Sequence, residues 1–162
     1  MSLLERELNQ TRPIDDPTTE AILSVLKSGD VIQRELEAAV AEHGLTWQQY
    51  TVLRILRGAG PKGLPVLDIA NHLIEGSPNV TRLLDRLVAK GLAIRSRAQH
   101  DKRVVYAVVT AAGGRLLDQL SAPVLQARRS ICGSLTPTEL DRLVNLLEKM
   151  RRGVYAQRTA AD

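Results

Sequence analysis

Residues 77–91 read Ser-Pro-Asn-Val-Thr-Arg-Leu-Leu-Asp-Arg-Leu-Val-Ala-Lys-Gly, and this stretch decides the fold. Ser77 suits a helix N-cap and Pro78 the first helical position. Val80, Leu83, Leu84, Leu87 and Val88 then recur at the three- and four-residue spacing of one apolar stripe, which predicts a helix over 78–90. Lys90 falls in its last turn and Gly91 ends it. Asn79, Thr81, Arg82, Asp85 and Arg86 are left off the core.

After Gly91 the period changes. Residues 92–97 and 104–109 read as two strands, the second dense in β-branched residues, and the polar run 98–103 joins them as a β-hairpin. Before Ser77, a short helix is expected over about 65–73, with Val66, Ile69, Ala70 and Leu73 inward, after the loop 58–63. Thr46-Trp47-Gln48-Gln49 has the capping-box pattern and opens a helix to about Arg57 that buries Tyr50, Leu53 and Leu56. Further upstream, Ile22, Val25, Leu26, Gly29, Ile32, Leu36, Ala39 and Val40 make the stripe of a long helix from Thr18 to near Gly44. Residues 1–16 read as a loose arm. Downstream, one helix is expected from about Thr110 to Ile131, kinked or divided by Pro123. Another starts at the capping box Thr136-Pro137-Thr138-Glu139 and carries Leu140, Leu143, Val144, Leu147 and Met150. The fold class is mainly α: a winged helix-turn-helix with a two-stranded hairpin wing and a helical dimerisation region. The apolar stripes of the first and last helices are too extensive for one small lobe.

Composition narrows the function. The chain has 162 residues and a net charge of +4. From Ser77 to Arg115 eight basic residues face two acids, Asp85 and Asp101, so this segment carries +6 and the remainder −2. Basic charge gathered in one segment is the footprint of nucleic-acid binding. Aromatic residues make up 2% with no Phe, which disfavours the base-stacking platforms of single-strand readers and favours duplex DNA. The single cysteine, Cys132, rules out an internal disulfide, and reads as a partly buried structural thiol; Arg128 and Arg129 nearby are the one hint of a reactive one. His43, His72 and His100 lack metal-ligand spacing, so no metal or other cofactor is expected. The glycine-rich 58–63 lacks the ending and the preceding strand of a phosphate loop, and no nucleophile–base pattern accompanies it, so no enzyme is expected. The N-terminus lacks the order of a secretory signal, no apolar run is long enough to span a membrane, and a cytoplasmic location is expected.

A capped helix at this place lies in the major groove with its first residues at base edges. Asn pairs with adenine, Arg with guanine, and Thr reaches a base or a phosphate. Candidate contacts are therefore Ser77, Asn79, Thr81, Arg82 and Arg86 on the helix, with Ser77 foremost a cap. Arg97, Lys102 and Arg103 on the hairpin suit the minor groove or flanking phosphates. The other reading of Arg82 and Arg86 is a solvated helix face, with Arg86 pairing to Asp85 or Asp101.

The segments 80–87, 90–95, 101–103 and 110–113, with 45–50 upstream, resemble the MarR (multiple antibiotic resistance regulator) family. The resemblance implies a homodimer whose N- and C-terminal helices interlock, each subunit presenting one winged helix to a pseudo-palindromic operator. It also implies a repressor released by a small aromatic effector held between the dimerisation helices and the DNA-binding lobe. Trp47 and Tyr50 are the pocket candidates. The family's wing motif falls on Asp101 and Arg103: the Arg reaches the minor groove, the Asp holds the wing by ion pairing, and Arg95 at the wing base braces that pairing. Gly113-Gly114 departs from the pattern and is expected to weaken the start of the following helix. The chain thus divides into an N-terminal arm (1–17), a dimerisation helix (18–44), a DNA-binding lobe (45–110), C-terminal dimerisation helices (111–155) and a tail (156–162). Two other readings stay open, a winged helix used for protein–protein contact and a non-specific architectural DNA-binding protein.

Overall fold

The computed structural model describes residues 2–74, 79–97 and 104–159. They form two compact units, residues 1–125 and 126–162. In the first unit, α2 (Pro17–Ala41) starts where Asp16 accepts hydrogen bonds from the backbone N–H groups of Thr18 and Thr19. α3 (Trp47–Ala59) starts at the Thr46 capping box, where Gln49 N–H donates to the Thr46 hydroxyl and Gln49 accepts from Thr46 N–H. Each such cap satisfies a backbone donor that the helix leaves open, a contribution of about 1 kcal/mol.

α5 (Val80–Ala89) ends in a Schellman motif: Leu92 N–H reaches the Leu87 carbonyl and Gly91 N–H reaches Val88. Gly91 sits at φ +68°, the left-handed conformation this stop requires. The turn feeds β2 (Ala93–Arg97), which pairs antiparallel with β3 (Val105–Val109) from Ala93↔Val109 to Arg97↔Val105. Helix α5 buries Val80, Leu83, Leu84 and Leu87 against Tyr50, Val52, Leu53 and Leu56 of α3, Ile69, and Ala93 and Ala107 of the sheet. Val40, Leu117, Leu120 and Val124 close this core.

Several elements differ from expectation. Residues 65–73 are not one helix: Leu64–Pro65 form β1, followed by α4 (Val66–Ile69) and a 3-10 turn over Ala70–His72. β1 pairs with β3, so the sheet has three strands in the order β1-β3-β2 rather than the two of a hairpin. The N-terminal arm holds a short helix, α1 (Leu3–Glu7), capped by Ser2 and Glu5 and buried through Leu4. Glu5 also accepts from Ile14 N–H at 2.8 Å, and these backbone hydrogen bonds lower its pKa below the usual carboxylate range. Val88, expected inward, is exposed, because it lies at the margin of the α5 stripe.

The helix expected over 110–131 is two, α6 (Ala111–Gln119) and α7 (Ser121–Cys132), divided at Leu120. Pro123 has no N–H for the Gln119 carbonyl and its ring crowds that oxygen, so the break falls one turn before it. Gly113 has a packing reason: a Cβ there would overlap the Leu92 carbonyl oxygen and the Val109 side chain. Thr110 joins the same contact, its hydroxyl donating to the Gly91 carbonyl at 2.7 Å while accepting from Gly113 N–H.

The second unit takes the rest of α7 and α8 (Pro137–Thr159), opened by the reciprocal Thr136–Glu139 capping box. Cys132 is a free, half-buried thiol. No helix of the described residues is long and apolar enough to cross a membrane.

Candidate nucleic-acid interface

The side of α5 opposite its buried stripe carries Thr81, Arg82, Asp85 and Arg86, all exposed, and exposed Asn79 stands just before the helix. The spacing of four stacks Arg82 on Arg86 and Thr81 on Asp85. Arg95 reaches across from β2: its Nη1 donates to Asp85 Oδ1 at 2.6 Å and its Nη2 to the Thr81 carbonyl oxygen at 2.9 Å. The Asp85 charge is therefore taken up by the sheet, and not by Arg86. Among the described residues neither Arg82 nor Arg86 has an ion-pair partner. This helix face thus presents two uncompensated guanidinium groups one turn apart, with a polar residue at its leading end.

Arg97 closes β2 and is exposed; the alternation of the strand puts it on the same sheet face as Arg95. Ser77, Asp101, Lys102 and Arg103 lie outside the described residues. Within the described residues, Arg95 ties the wing base to the recognition helix. Its partner was not readable from spacing, since Asp85 and Arg95 meet only when α5 packs on β2.

A second feature lies beside α2. The middle of α2, the first turns of α3 and Leu73–Ile74 enclose a groove of about 730 Å³. Ile32, Leu36, Trp47, Leu73 and Ile74 give it apolar walls, and Arg34, Glu37 and Thr51 its polar edge. Trp47, one of the two pocket candidates, lines this groove. Tyr50 does not: it is buried at 3% exposure and stacks under Trp47 with ring centroids 4.9 Å apart. The Glu37 carboxylate accepts from Trp47 N–H at 2.7 Å and so joins α2 to the start of α3. Sequence reasoning missed Arg34 and Glu37, whose spacing on α2 is that of any solvated helix face. Among the described residues no cluster of His, Cys, Asp or Glu could hold a metal ion.

A helix-turn-helix with an arginine-bearing second helix, followed by a sheet with a basic edge, defines the class: a winged-helix, DNA-binding transcriptional regulator. Comparison with known proteins makes it specific. The MarR family model matches residues 45–105. The uncharacterized HTH-type transcriptional regulator YkoM of Bacillus subtilis is 36% identical over 72% of this chain and 73% of its own length. The homoprotocatechuate degradative operon repressor of Escherichia coli is 27% identical over 78% of this chain and 84% of its own. Among solved structures, a MarR transcription factor from Planctomyces limnophilus matches with a TM-score of 0.66 and 37% identity, covering 84% of this chain and 98% of that one. Bordetella bronchiseptica BpsR, whose DNA binding is regulated by 6-hydroxynicotinic acid, matches with a TM-score of 0.70 and 25% identity over 82% and 98%. The chain belongs to the MarR family.

Proposed function

We propose that the protein is a homodimeric repressor that grips a pseudo-palindromic duplex operator and releases it when a small ligand fills the groove beside Trp47. The observation that carries this reading is the α5 face, where Arg82 and Arg86 stand exposed while Arg95 holds the neighbouring Asp85. Arg82 reads a base edge, Asn79 and Thr81 a base or a phosphate, Arg86 the backbone and Ser77 a phosphate; the N-cap position expected of Ser77 falls instead on Asn79, since α5 begins at Val80. Arg97, Lys102 and Arg103 carry the wing's phosphate and minor-groove contacts, with Asp101 and Arg95 as the bracing groups. The chain acts by binding rather than catalysis, in the cytoplasm where its operator is.

Dimerisation is supported by apolar side chains that each unit leaves in water. On α2 these include Ile22, Val25, Leu26 and Val31; on α8 they include Leu143, Val144, Leu146 and Met150. Exposed apolar surface on this scale marks an interaction face. The assignment of residues 18–44 and 111–155 to dimerisation, of 45–110 to DNA binding, and of 1–17 and 156–162 to an arm and a tail rests on it. A two-fold dimer reads two half-sites about one helical turn, roughly 10 bp, apart. The repressor sense and the ligand follow the named relatives, one a repressor and one regulated by a small aromatic acid.

Selection of bound fragments from random duplex DNA by the purified full chain tests this. A two-fold-symmetric motif with half-sites about one turn apart is expected. Salt-sensitive binding without a motif would make the protein architectural, and no binding would make it a protein-contact module.

A further inference from the structure

The groove beside Trp47 has a charge character of its own. Three ionisable side chains line it among the described residues: Asp30, Arg34 and Glu37. Arg34 Nη2 sits 2.8 Å from Asp30 Oδ2, one helical turn away, so these two together bring no net charge. Glu37 is left. One of its oxygens, Oε2, accepts from Trp47 N–H; the other, Oε1, has no partner among the described residues. Glu37 is half-buried and fixed by that hydrogen bond, so its charge is less screened than that of a free surface carboxylate. The indole of Trp47 lines the same groove, with Ile32, Leu36, Leu73 and Ile74 as apolar walls and only uncharged residues making up the rest. An aromatic face beside a lone carboxylate attracts a cation through the ring quadrupole and the ion pair together. It repels an anion of the same shape.

We infer that the effector of this protein is a flat organic cation, its ring against Trp47 and the apolar walls and its charged N–H groups donating to Glu37. This rests on the reading of the groove as the effector site, and departs from the acid named for one of the similar structures. The occupant is selected by charge: an amidinium or ring-bearing ammonium, not a carboxylate.

Trp47 is the single tryptophan of the chain, so its fluorescence reports occupancy directly. Benzamidine, benzamide and benzoate have nearly the same shape and carry charges of about +1, 0 and −1 at neutral pH. Titrated into the full-length protein, benzamidine is expected to bind about a hundredfold tighter than benzoate, with benzamide midway, because one partly screened charge at contact distance is worth about tenfold for each unit of probe charge. Glu37→Gln keeps an acceptor for Trp47 N–H and removes the charge. It is expected to lower benzamidine affinity about tenfold, leave benzamide unchanged and bring benzoate level with it. Equal or tighter binding of benzoate to the unaltered protein would overturn the cation inference and leave the groove standing as an effector site. A Trp47 signal unmoved by all three probes at millimolar concentration would overturn both.

Discussion

Replacing Arg95 with alanine should separate DNA binding from folding. Arg95 makes two bonds to α5, to Asp85 Oδ1 at 2.6 Å and to the Thr81 carbonyl oxygen at 2.9 Å. The side chains of Arg95 and Asp85 are 30% and 55% exposed, so solvent screens the pair. Such a pair contributes about 0–1 kcal/mol to stability, and urea unfolding of Arg95→Ala should shift by no more than that. DNA binding suffers more. Without Arg95, Asp85 keeps a bare negative charge on the face that carries Arg82 and Arg86, pointed at phosphates. A carboxylate about 8 Å from a phosphate costs about 0.5–2 kcal/mol at effective dielectric constants between 80 and 20. Operator affinity, measured by fluorescence anisotropy, should therefore fall about tenfold, since 1.4 kcal/mol is a factor of ten. Adding Asp85→Asn removes that charge and should restore most of the affinity, a coupling of about 1 kcal/mol in the double-mutant cycle. The slope of affinity against salt should stay near that of the unaltered protein, because no phosphate contact has gone. If the slope instead drops by about 0.9 and Asp85→Asn rescues nothing, Arg95 is itself a phosphate ligand and the bracing argument is wrong.

Arg82→Ala is expected to cost about 1–3 kcal/mol of specific affinity and to relax sequence preference at one position of each half-site, seen by repeating the fragment selection. Arg103→Ala should weaken binding to all sequences alike and lower the salt slope by about 0.9; an untouched slope would remove Arg103 from the wing contact. Gly113→Ala should destabilise folding by about 1–3 kcal/mol in urea titration, since the new Cβ overlaps the Leu92 carbonyl oxygen, a backbone atom, as well as the Val109 side chain. Asp16 is held below the usual carboxylate pKa, first by the Thr19 hydroxyl and then by the Thr19 and Thr18 N–H groups. A depressed folded-state pKa means that its stabilisation of α2 is complete at neutral pH. It is lost as pH falls from the usual carboxylate range through the lowered value. Asp16→Asn should flatten that acid limb in melting curves taken against pH.

What the sequence made legible was whatever is encoded within one or two turns of chain. The Thr46–Gln49 and Thr136–Glu139 caps, the Gly91 stop and the α5 stripe all depend on residues three or four apart, and all stand in the structure apart from Val88 at the stripe's margin. The Ser2–Glu5 box is the same kind of signal, but the polar run around it read as an arm. β1 could not be read, because two residues, one of them proline, carry no period; it exists only because β3 offers Ala107 and Tyr106 as partners. The site divides in the same way. That Arg82 and Arg86 leave the core follows from the helix period alone. That Arg95 rather than Arg86 takes up Asp85 depends on how α5 lies on β2, and it alters the electrostatics of the DNA face. The groove is further still from local reading. Glu37, Trp47 and Ile74 come from three separate stretches, and only folding brings the carboxylate to the indole. Trp47 and Tyr50, equal candidates in the sequence, part company because Trp47 occupies the first position of α3, at the core's edge, while Tyr50 sits a turn deeper. Specificity in such a protein is therefore carried by residues whose type is ordinary and whose placement is not, and double-mutant cycles across elements measure it where single substitutions along one helix do not.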